Sequence, residues 1–217
     1  MNTLPSKKLI SKALKVSKFW DFGNNVLYDL CKKNFYHRDT DKIIAKFWII
    51  GRSYAAAVER NKKERSSEGN FYINELSSIV KKSGIDIYLN KLRNIRKIDQ
   101  DSIPLILECH WYLTYTLNEI TGHNNRSLCS KYLHFHLPEL FFLFDSRAVV
   151  GLRTFISYVP KPINNILENI HIDSDYAKLY CKCYQLKRNI ENNYKIKLTN
   201  RQLDSILIFE ADAKLKT

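Results

Sequence analysis

Asp145 closes an apolar run, residues 140–144, in the stretch HFHLPELFFLFDSRAVVGLR, and a helical pattern begins directly behind it. An acid at that position caps the helix, because its carboxylate accepts a backbone N–H of the first turn. It has a second capacity. In surroundings of low dielectric constant a carboxylate stabilises a nearby positive charge far better than it does in water. It can also orient or deprotonate a water molecule. A hydroxyl, Ser146, and a cation, Arg147, follow the acid. The nearest amine is Lys131, one helical turn after Ser127 and on the same face.

Other residue types that do chemistry are less well arranged. The five cysteines, Cys31, Cys109, Cys129, Cys181 and Cys183, are odd in number and scattered, which points to free thiols in a reducing compartment. Cys181 with Cys183 and His134 with His136 are pairs two residues apart. On helices such pairs face different directions, so packing is expected and not a shared metal ion. No clustered acids are spaced for two metals, which argues against a metal nuclease. No metal or cofactor is expected.

These residues must be held by helices. Asn24 or Asn25 can cap VLYDLCKKNF, and Asp39 or Thr40 can cap a long helix, DKIIAKFWIIGRSYAAAVERNKK. NKKERSSEGN reads as a loop, followed by short helices at YINELSSIVKK and IDIYLNKLRNI. Ser102 with Pro104 opens an apolar helix that Gly122 can end. GHNNR then leads into SLCSKYLHFHL, which Pro138 breaks. Beyond the helix at Asp145, YVPKP is a linker, DYAKLYCKCYQLKRNIENN is helical, and Thr199 or Asn200 caps RQLDSILIFEADAKL. No period-2 strand and no repeat interrupts this pattern, so an all-α fold is expected.

Hydrophobic residues make up 45% and charged residues 26%, which excludes a disordered chain. The charge balance is unusual: 35 basic against 22 acidic side chains, a net +13. Such an excess fits a polyanionic partner. No run is long enough to span a bilayer, and no secretory h-region precedes a small-residue cleavage site. A cytoplasmic location is therefore expected, with the lysine-rich N-terminal helix docked on the protein and not on a membrane.

The order loop, helix, apolar approach, acid, helix in GHNNRSLCSKYLHFHLPELFFLFDSRAVVGLR resembles the core of the helix-hairpin-helix DNA glycosylases. In that superfamily a glycine-containing hairpin binds backbone phosphates through its amides, and a catalytic Asp stands just before a helix. The hairpin here reads Ile120, Thr121, Gly122, His123, Asn124, with one glycine where the family has two. The lysine of the bifunctional glycosylase/lyases falls on Ser127, 18 residues before Asp145, with Arg126 beside it. KFWDFGNNVLYDLC and WIIGRSYAAAVER are similar to small bacterial relatives, some of them antiphage enzymes that attack modified bases.

The resemblance implies two helical lobes with a cleft between them, in a degenerate version of the glycosylase layout. Residues 1–39 would pack with a C-terminal lobe of 158–217, and 40–157 would form the central lobe with its hairpin at 102–136. The implied activity is monofunctional. A base of double-stranded DNA is flipped out and its N-glycosidic bond hydrolysed, by a monomer, with phage-type hypermodified DNA such as glucosylated cytosine as one substrate class. Asp145 would be catalytic. Trp20, Phe22, Asn24, Asn25, Trp48, Arg52, Tyr54 and Trp111 would meet the base. Lys62, Lys63, Arg93, Arg96, Gly122, Asn124, Arg126, Ser127, Lys131 and Arg147 would meet the DNA backbone, with Lys131 as a solvated or phosphate-binding lysine. The alternative is an all-α nucleic-acid-binding module in which Asp145 only caps a helix.

Overall fold

The computed structural model describes residues 3–62, 67–159 and 171–214 of the 217. Among these, every regular element is helical and none is a strand. The expected Lys63 and most of the YVPKP linker lie outside the described residues.

The chain enters through α1 (Lys7–Ser17), where Ser6 accepts the Leu9 amide as cap. A single 3-10 turn, Lys18–Trp20, passes directly into α2 (Asp21–Lys33). Asn24 and Asn25 therefore sit inside α2 and cap nothing, contrary to expectation. The 3-10 turn supplies the entry, and Asp21 complements the positive helix end. Next comes α3 (Thr40–Ser53), shorter than its apolar pattern predicts. It stops because the chain doubles back: Ala55 adopts φ 52° and the Ala56 amide donates to Gly51 O at 2.7 Å. A Cβ on Gly51 would lie 3.2 Å from Ala57 Cα, so glycine makes room for the return.

A continuous helical segment follows, from α4 (Glu68–Asn70) through a π-helical stretch (Phe71–Leu76) into α5 (Ser77–Lys82). After α6 (Ile85–Leu92) comes α7 (Ile103–Thr121), which starts with Pro104 in its first turn and ends on Gly122 at φ 68°. It packs against α8 (Arg126–His136), which lies in the middle of the molecule and also touches α2 and α3. All of residues 128–136 are buried, so α8 has no solvent face. Its polar side chains must then find partners inside. The Tyr132 hydroxyl donates to His37 Nε2 at 2.6 Å, and His37 Nδ1 donates to Asp86. His136 Nε2 accepts from the fully buried Lys46, whose pKa burial brings down to about 8.

The remaining elements are α9 (Ser146–Phe155), α10 (Ser174–Tyr194) and α11 (Asn200–Lys214). Thr199 and Gln202 form a reciprocal capping box at the start of α11, each side chain accepting the other's amide. The apolar side of α1 rests on α11, and α11 runs along α9. All five cysteines are buried and free. No described helix is long and apolar enough to cross a membrane.

The α9–α11 contact depends on Gly151, where a methyl group would overlap the Leu207 carbonyl. Because the obstacle is backbone, relief requires the two helices to separate. We expect Gly151→Ala to cost roughly 3 kcal/mol or more in chemical denaturation, at the upper end of overpacking penalties. A loss below 1 kcal/mol would show that the two helices can move apart freely.

Candidate functional site

Asp145 reaches its position through a segment that is neither helix nor strand. After a turn at residues 138–140 the chain runs through the core without regular structure, with Leu140, Phe141 and Phe142 buried. Side chains pair its peptide groups. Tyr180 donates to Leu140 O and Tyr176 to Phe142 O, each at 2.9 Å. His134 Nδ1 donates to Phe141 O at 2.8 Å, and the Tyr28 hydroxyl donates to the other ring nitrogen at 2.7 Å. The Phe144 amide donates to Ser130 Oγ at 2.8 Å.

The last carbonyl of the run, Phe144 O, accepts from Ser127 Oγ at 3.2 Å and from Lys131 Nζ at 2.9 Å. Lys131 also donates to Ser127 Oγ at 2.6 Å and lies 3.8 Å from Asp145 Oδ2. Its side chain is only 2% exposed, so the expected solvated lysine is a buried one. Burial lowers its pKa, while Asp145 and Asp204 act in the opposite direction. Ser127 likewise tethers the run and does not cap α8. Asp145 keeps an extended backbone, caps α9 by accepting the Arg147 amide at 2.9 Å, and remains 25% exposed.

That exposed part faces a cleft of roughly 960 Å³. One wall is α1, Trp20 and the start of α2; another is the end of α3, with Arg52 and Tyr54. Lys131, Leu143 and Asp145 line it together with Ser146 and Arg147 from the start of α9. The fourth wall is α11, which contributes Arg201, Asp204, Ser205, Ile208, Phe209 and Asp212. Of the apolar run, only Leu143 lines the cleft. The rest of the run serves the core, because the side chains flanking Phe141 pack inward with it.

Several expected residues meet here: Asp145, Trp20, Asn24, Arg52, Tyr54, Lys131 and Arg147. The Tyr54 hydroxyl donates to Asn24 Oδ1 at 2.7 Å, which turns the Asn24 amide group toward use as a donor. Arg52 is shared with two acids, Glu59 at 2.6 Å and Glu68 at 2.7 Å. Other expected residues lie elsewhere. Phe22 is 84% exposed and does not line the cleft, and Asn25 is exposed on α2. Trp48 donates to Glu68. Trp111 stacks on Tyr115 and His171.

The expected backbone-binding residues are also dispersed. Arg93 donates to the Tyr36 hydroxyl, and Arg96 lines a separate, mixed-charge cavity with Lys97, Lys187 and Glu191. Lys62 is half-buried. Arg126 is held by Asp173 at 2.6 Å and Asp175 at 3.1 Å, tying α8 to the start of α10. At the hairpin, the Gly122 amide donates to Asn118 O and the His123 amide to Thr121 Oγ1, so both serve the turn itself. Asn124 accepts from the Asn118 side chain at 3.4 Å.

Sequence reasoning missed Asp204. Its residue is 5% exposed, Oδ2 accepts from Arg201 at 3.0 Å, and Oδ1 is buried with no donor. Burial raises its pKa to about 6; Arg201, Lys131 and Arg147 oppose the rise, and Asp145 adds to it. The signal was present: Arg201, Asp204, Ser205, Ile208 and Asp212 form one stripe at helical spacing.

A carboxyl whose folded pKa lies above the unfolded value favours the folded state while protonated, and that advantage fades as pH rises through about 6. Asp204→Asn does not titrate. Relative to wild type it should therefore gain about 2–3 kcal/mol of stability between pH 4 and pH 7. A pH-independent difference in denaturation midpoint would remove the assigned titration. Comparisons with family models, curated proteins and solved structures matched none of them to this chain.

Proposed function

We propose that this chain is a monofunctional DNA glycosylase that acts on a base flipped out of the duplex. The observation that supports it is the placement of Asp145. The acid caps a helix and at the same time faces a cleft lined by Trp20, Tyr54 and Phe209 and by Arg52, Arg147 and Arg201. A helix cap with no further role needs no such cleft. In this reading the helices form two lobes around the cleft, and the aromatic faces hold the extruded base. The Asn24 amide reads its edge. Asp145 faces the sugar. Breaking the N-glycosidic bond builds positive charge at C1′, which the carboxylate stabilises while it orients the attacking water.

Lys131 is the only amine lining the cleft among the described residues. Its lowered pKa is in the direction a Schiff-base nucleophile needs. However, two of its N–H groups go to Ser127 and Phe144 O and the third side faces Asp145, an arrangement suited to an ammonium. This supports hydrolysis without strand cleavage. The net +13 charge supports a duplex partner, and hypermodified phage DNA is the proposed substrate class. The chain would act as a cytoplasmic monomer in this role.

Abasic-site formation on normal, damaged and glucosylated-cytosine DNA is the test. Asp145→Asn keeps the capping geometry, so folding and DNA binding should persist while base release falls by roughly 10²–10³-fold. Undiminished release by this variant would leave Asp145 as a cap and favour the non-catalytic binding module. Borohydride should trap no protein–DNA adduct, and an adduct that disappears in Lys131→Ala would replace hydrolysis with lyase chemistry. Duplex affinity should drop steeply with added salt, and charge reversal at Arg93 or Arg96 should weaken it irrespective of sequence.

A further inference from the structure

Asp145 is not the only carboxyl group in the cleft. On the adjoining wall α11 presents Asp204, and the two acids stand in different surroundings. Asp145 is a quarter exposed and has cations on two sides, Lys131 and Arg147. Asp204 is almost wholly enclosed, and Arg201 engages only its Oδ2. The other oxygen has no donor in the protein. A carboxylate oxygen left so is costly, because it has lost water and gained nothing. A proton on it changes the situation: the group becomes a donor, and an acceptor on a bound molecule completes it.

We propose that Asp204 is the second acid of the site, a carboxylic acid that delivers its proton to the departing base while Asp145 faces the sugar. The inference rests on the glycosylase reading. Two carboxyl groups with unlike environments in one cleft divide acid and base roles between them. In the reaction, the C1′–N bond breaks and its electron pair goes to the base. The Asp204 proton is transferred to a ring nitrogen or carbonyl oxygen of that base, which leaves neutral. A water oxygen bonds to C1′, and Asp145 accepts the water's proton. Proton exchange with solvent then returns Asp145 to carboxylate and Asp204 to acid, so each turnover consumes one water.

The groups that face Asp204 are consistent with this division. Arg201 comes from its own helix, Lys131 from α8, and Asp145 and Arg147 from the start of α9. Tyr28 of α2, Tyr54 at the end of α3 and Cys183 of α10 complete the shell. All three are pushed toward their neutral forms by burial, so they add no charge of their own. The acid limb of Asp204 itself lies at about pH 6. Its catalytic form is the protonated one, present below that pH and lost as pH rises through it.

Single-turnover base release is measured from pH 4.5 to 9, on whichever DNA of the panel is cleaved, with wild type, Asp204→Asn, Asp204→Glu and Asp145→Asn. Wild type should lose rate above pH 6. Asp204→Asn should be about 10²–10³-fold slower at pH 5.5 with no alkaline limb, and should bind DNA normally. Asp204→Glu should recover part of the rate and a displaced limb. If Asp204→Asn stays within threefold of wild type at every pH while Asp145→Asn is inactive, the proposal falls and the glycosylase reading stands. If wild type releases no base from any DNA on the panel, both fall. A separate measurement needs no activity. In ¹³C NMR, one aspartate carboxyl of wild type should titrate near pH 6 and be missing from Asp204→Asn; titration of every aspartate below pH 5 overturns the proposal.

Discussion

The structure depends on pairing the peptide groups of one irregular segment that crosses an apolar interior. Helices satisfy their own backbone, but residues 138–145 have no such ladder, and an unpaired buried amide or carbonyl is expensive. Their partners come from three helices. Ser127, Ser130, Lys131 and His134 of α8 reach the segment from one side, and Tyr176 and Tyr180 of α10 from another. From α11, Asn200 donates to Pro138 O at 3.0 Å. Each bond fixes one residue of the run, so the chain arrives at Asp145 with little freedom. An acid on an ordinary surface loop would lack that definition. The run is greasy because its side chains fill the core, and it ends on an acid because there it leaves the core and opens a helix.

The same bonds explain how a buried lysine is tolerated. Lys131 loses hydration, but gains a hydroxyl, a carbonyl and a carboxylate at short range. Lys46 repeats the device deeper in the core with Asn34 O and His136. In a chain of net charge +13, the cleft is notably balanced. Arg147 sits between Asp145 and Asp212, and Arg201 pairs with Asp204. In the proposed reaction charge would develop on a sugar and on its leaving group in opposite senses, which a site of alternating sign suits. The surplus positive charge lies on other faces, where it acts at longer range.

Local stretches of sequence determined a good deal of this protein. Helical periodicity excluded strands throughout, Pro104 and Gly122 marked both ends of α7, and Asp145 read as the cap of α9 from three neighbouring residues. These features are local because a helix start or stop is decided within one turn. Tertiary structure decided the rest. That α2 runs through Asn24, and that α3 stops at Ser53, depends on neighbours that local propensity does not contain. That Asp204 lines the same cleft as Asp145 follows from the packing of α9 on α11, which Gly151 permits by leaving space for the Leu207 carbonyl. The burial of Lys131 is of the same kind. Its sequence neighbours are those of an exposed helical lysine, and only the crossing of the 138–145 segment over α8 removes it from water and gives it an acid to face.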